Sequence, residues 1–63
     1  MTHWLKAREA AEYARVSLTT IREAVQGGDL VAYPVGKSGR EYRLTAEDVD
    51  QWMKSRTWSP VAS

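Results

Sequence analysis

Between Val16 and Gly28, apolar and polar positions recur with the period of a helix. At about 100° per residue, Leu18, Ile21, Ala24 and Val25 share one face, and Thr19, Arg22, Glu23 and Gln26 share the opposite one. Ser17 stands at the start, where its hydroxyl can accept from an orphan first-turn N–H. Val16 and Ile21 are spaced for a hydrophobic staple, and Gly27 and Gly28 supply the left-handed freedom a helix end needs. Upstream, the pattern predicts a helix over about Ala7 to Ala14, with Leu5, Ala10, Ala11, Tyr13 and Ala14 among the inward positions. Lys6 is a poor cap for it, but Glu9 can bond back to the backbone near Lys6. Downstream, Val31–Val35 and Glu41–Leu44 flank the glycine-containing stretch Gly36–Arg40 and read as a β-hairpin. Pro34 puts the first strand at an edge, because it has no N–H for a ladder. A last helix begins after Thr45, with Asp48 in the capping-box position and Val49, Trp52 and Met53 as its apolar stripe.

Only Arg15 and Val16 separate the first two helices, which forces a sharp turn and makes the pair a helix-turn-helix. The predicted fold is mainly α with a small β-hairpin: a winged helix-turn-helix with a two-stranded wing and a C-terminal helix. Residues 1–56 form the one expected domain and residues 57–63 a tail. Trp58 in that tail is expected to fold back on the helices or to touch a neighbouring copy.

Size limits the options. A chain of 63 residues has one small core, and its three Trp and three Tyr suit that. The absence of Cys excludes disulfides, Cys-type zinc sites and thiol catalysis, and fits a reducing compartment. No apolar run reaches the length of a membrane span or a secretory signal, so an intracellular protein with no membrane partner is expected. His3 stands alone, and no nucleophile, base or metal cluster is visible. An enzyme, a metal and a cofactor are therefore not expected.

Net charge is only +1, but its distribution is uneven. Arg15, Arg22, Lys37, Arg40 and Arg43 occupy the middle, while Glu47, Asp48 and Asp50 crowd the start of the last helix, where the helix dipole favours them. A basic centre and an acidic back suit a small DNA binder, as they also suit an ordinary soluble surface. The front of the second helix carries hydrogen-bonding side chains of middling length, the kind that reads base edges in a major groove. Lys37 and Arg40, on a glycine-hinged loop, read as a wing tip for phosphates or the minor groove.

This order of elements resembles the small winged helix-turn-helix domains of the excisionase and MerR-like superfamily. The resemblance rests on Leu5–Tyr13, Val16–Arg22, Gly28-Asp29-Leu30, Val35-Gly36, Tyr42-Arg43-Leu44 and Asp48–Trp52. The chain departs from the pattern at Lys6, where such domains often have Ser or Thr, at Val31 in place of a frequent Pro, and in its somewhat long wing tip. The resemblance implies that the second helix enters the major groove of double-stranded DNA through Thr19, Thr20, Arg22, Glu23 and Gln26. It implies phosphate contacts from Ser17 and Arg15, and a wing of Lys37, Arg40 and Arg43 on the flanking backbone or minor groove. Among such domains, a stand-alone unit of this size resembles the phage excisionases, or recombination directionality factors. The implied role is then to bind beside an attachment site, in adjacent copies, and bend the DNA. It would turn an integrase (a tyrosine or serine recombinase) toward excision, in the cytoplasm and on the nucleoid of a bacterial host. The alternatives are a small MerR-like transcriptional regulator with the same contacts and, in another class, a protein-interaction module that binds no DNA.

Overall fold

The structure is a computed structural model that describes residues 2–57. Its elements run β1 (Trp4–Leu5), α1 (Ala7–Ala14), α2 (Leu18–Gln26), β2 (Tyr33–Val35), β3 (Glu41–Thr45) and α3 (Ala46–Ser55). Local chemistry explains most of these boundaries. Ser17 Oγ accepts the Thr20 N–H at 3.1 Å to start α2, and Thr45 Oγ1 accepts the Asp48 N–H at 3.1 Å to start α3. The Thr45 hydroxyl also donates to Asp48 Oδ2 at 2.8 Å, which locks that corner. At α1 only half of such an arrangement exists. The Lys6 N–H donates to Glu9 Oε1 at 2.8 Å, but the ammonium of Lys6 has no lone pair to offer the first turn.

α1 and α2 end in the same way. Val16 N–H reaches the Ala11 carbonyl at 2.9 Å and Arg15 N–H the Glu12 carbonyl at 3.2 Å. At the end of α2, Asp29 N–H reaches Ala24 at 2.9 Å and Gly28 N–H reaches Val25 at 3.1 Å. Both are Schellman closures, and both need one left-handed residue. In α2 it is Gly28, with φ +82°; in α1 it is Arg15, with φ +58°. Arg15 is the one non-glycine residue with positive φ among those described. This closure turns the chain so abruptly that α2 begins only three residues after Arg15.

The helices cover one side of an antiparallel sheet of order β1-β3-β2. The wing is the β2–β3 hairpin, in the register Tyr33↔Arg43, Pro34↔Tyr42, Val35↔Glu41, and Pro34 lies on the edge strand as its missing N–H requires. β1 adds a third strand on the far side of β3, through Trp4↔Thr45 and Leu5↔Leu44. Leu5 and Leu44 thus point together into the core, where they meet Ala10, Ala11, Ile21, Ala24, Leu30, Val49 and Trp52. The small side chains Ala10 and Ala11 leave room for α2 and α3 to approach α1 closely.

Two apolar positions, Tyr13 and Met53, do not take the inward places expected of them. Tyr13 is exposed, because its hydroxyl donates to Asp50 Oδ1 on α3 at 2.8 Å and this holds the ring at the rim. Met53 is exposed as well, leaving Val49 and Trp52 as the buried stripe of α3. Tyr33 turns away from the helices and sets its ring edge-on to Trp4, with centroids 5.3 Å apart and planes at 85°. The pair spans the outer face of the central strand, since Trp4 stands opposite Thr45 and Tyr33 opposite Arg43. Trp58 lies outside the described residues.

Candidate nucleic-acid interface

The buried back of α2 fixes what its front presents. Ile21 and Ala24 are in the core, and Leu18 and Val25 are half-buried at the flanks. Thr19, Arg22, Glu23 and Gln26 are therefore exposed on one face. Thr20 differs from them. It is half-buried, its hydroxyl is 2.8 Å from Ser17 Oγ, and it lines a groove toward α3 with Glu23, Asp29, Trp52, Ser55 and Arg56. Arg56 lies over the Trp52 ring at 5.1 Å, a cation–π contact, and both residues line that groove.

The opposite flank of α2 faces the wing. Arg22 shares a second cleft with Arg40, Glu41, Tyr42 and Arg43 from the hairpin and with Lys6 and Ala7 from the start of α1. Four cations from three parts of the chain thus surround one opening. Glu41 is the carboxylate among them, and it is engaged by Arg43 Nη1 at 3.0 Å. The same Arg43 nitrogen donates to the Tyr42 carbonyl at 3.3 Å, so Arg43 is partly committed to the hairpin itself. Arg40 and Lys37 are exposed on the loop at residues 36–40, where Gly36 (φ +76°) and Gly39 (φ +70°) make the bends. Ser38 Oγ accepts the Arg40 N–H at 3.3 Å and helps hold that tip.

The structure thus brings Arg22, Arg40 and Arg43 together, sets Lys37 at the tip, and leaves Arg15 and Ser17 at the turn that introduces α2. Lys6 is the cation of the cleft that sequence reasoning did not select. A cation at a cap position, where it cannot cap, was the available signal.

Two of the three carboxylates of α3 are engaged by other side chains. Asp48 is bonded to Thr45, and Asp50 accepts from Tyr13. Asp48 also raises the Tyr33 pKa, chiefly by its negative charge, and the hydrogen bond to Asp50 raises that of Tyr13. Among the described residues no group of three or more His, Cys, Asp or Glu is placed to hold a metal ion. None of the described helices is long and apolar enough to cross a membrane.

Comparison with curated proteins and with solved structures gives no match. A family model described as a helix-turn-helix domain does match, over residues 4–57. That span runs from β1 past the end of α3 and takes in both the α1–α2 turn and the basic hairpin. By this match and this fold, the chain belongs to the helix-turn-helix domain family, a DNA-binding family that includes excisionase-like proteins.

Proposed function

We propose that the protein is a sequence-specific DNA-binding and DNA-bending accessory factor that turns integrase-mediated recombination toward excision. One observation carries the DNA-binding geometry: Arg22 of α2 and Arg40 of the wing open onto the same cleft beside the exposed face of Thr19, Glu23 and Gln26. In this reading that face lies in the major groove. Arg22 is the residue best suited to grip a guanine through two parallel hydrogen bonds. Lys37 and Arg40 reach the adjoining backbone or minor groove, and Arg attracts strongly to a narrow minor groove. Ser17, Thr20 and Arg15 lie at the edge of the contact, where phosphates run. A duplex held both by α2 and by the wing bends if the two surfaces are not collinear with it, and adjacent copies would add their bends and their affinities. The protein does no strand chemistry in this scheme; the integrase supplies it, in the bacterial cytoplasm.

Arg22→Ala tests the central contact. Binding to a short duplex selected from a random pool should weaken by about 1–3 kcal/mol, with relaxed preference at one base position. Equal loss on every sequence would make Arg22 a phosphate contact instead. A reconstituted excision reaction tests the rest: the protein should raise the excision rate of an integrase on its attachment sites. Tight binding without any effect on excision would assign a transcriptional regulator.

A further inference from the structure

The DNA-binding reading leaves Lys6 without a role, and Lys6 sits badly where it is. α2 and α3 each begin with a hydroxyl that accepts the N–H of the third helical residue. α1 begins with a lysine, and no side chain caps its first turn. The residue therefore forgoes a stabilising contact that Ser or Thr would make at the same position. The Lys6 backbone N–H is already satisfied by Glu9 Oε1, so its exposed side chain has no structural duty. Among the described residues it has no carboxylate partner, and neither do Arg22 and Arg40, since the cleft's Glu41 is engaged by Arg43. Lys6 and Ala7 line that cleft together, so the uncapped turn of α1 and the ammonium border the same opening as the two free guanidinium groups. Repulsion among these cations disfavours an empty cleft, and a phosphodiester oxygen relieves it.

We infer that this cleft is a phosphate seat on the DNA backbone, between the segment read by α2 and the segment held by the wing, with Lys6 as its specific ligand. The inference rests on the DNA-binding reading and adds to it a residue and a place. Lys6 fixes the spacing of helix and wing along one strand, and the protein gives up a helix cap to do so.

The test replaces Lys6 by the residue a cap prefers. Lys6→Ser should raise the melting temperature, because α1 gains its missing acceptor, and should weaken binding to the selected duplex. One lost phosphate contact lowers the slope of log K against log salt by about 0.9, which is about an eightfold loss at 0.1 M salt relative to 1 M. Lys6→Gln, which removes the charge but caps poorly, should lose the same affinity without the rise in melting temperature. A neutral methylphosphonate at the seat should cost the wild type more than it costs Lys6→Ser, because Arg22 and Arg40 remain there and only the Lys6 contribution is already gone. Unchanged affinity and slope in both Lys6 variants, alongside a loss in Lys37→Ala/Arg40→Ala, would overturn this inference alone. No duplex binding by the wild type would overturn it together with the reading on which it rests.

Discussion

The hydroxyl of Tyr13 on α1 donates to Asp50 Oδ1 on α3 at 2.8 Å, joining the first and last helices across 37 residues of sequence. Ionising Tyr13 would remove that proton and set a phenolate against a carboxylate, so the bond raises the Tyr13 pKa above its ordinary 10.0. The stability it confers is therefore complete below about pH 10 and is lost as pH rises through the raised folded value. Tyr13→Phe should melt below the wild type at pH 7, and the gap should close in strongly alkaline buffer. A gap that stays constant with pH would mean that the ring's packing, not its proton, matters.

The Ser17 cap is the hinge between the turn and α2. Ser17→Ala removes the acceptor of the Thr20 N–H and the partner of the Thr20 hydroxyl. The expected loss is about 1 kcal/mol. For a domain of this size that is a fall in melting temperature of roughly 4–8 °C, measurable by circular dichroism. An unaltered melting point would refute the cap as a stabilising element.

The matched closures of α1 and α2 predict opposite responses to substitution. Arg15 pays for its left-handed backbone with roughly 1 kcal/mol of strain that Gly would not have. Arg15→Gly should therefore be neutral or stabilising by up to about 1 kcal/mol after the larger unfolded-state entropy of Gly is counted. Gly28→Ala, at φ +82°, should be destabilising by about 1 kcal/mol or more. Denaturant midpoints for the two variants give the comparison. If Arg15→Gly also binds duplex less tightly, Arg15 is kept for a phosphate contact, since its conformation gives no reason to keep it.

Much of this fold can be read along the chain because its boundaries are local events. Ser17, Thr45 and Gly28 each act on a neighbour within a few residues, and the 3.6-residue period of α2 sorts its core face from its front without tertiary information. What could not be read is set by contacts between distant segments. β1 is only two residues long and becomes a strand by pairing with β3, some forty positions away. Tyr13 looks inward by periodicity until Asp50 supplies a partner at the rim. The edge-on pairing of Tyr33 with Trp4 likewise joins segments far apart in the chain. The candidate site follows the same division. The front of α2 and the charged loop tip are legible, whereas the cleft joining Arg22 to Arg40 and Lys6 exists only once the hairpin folds beside α2.

The central claim is that the front of α2 and the wing hold one duplex together. Amide chemical-shift mapping with the selected duplex tests it most directly. Perturbations are expected at Thr19, Arg22, Glu23 and Gln26 and, in the same titration, at Lys37 and Arg40. Perturbations gathered on Glu47, Asp48 and Asp50, with both of those surfaces silent, would contradict it.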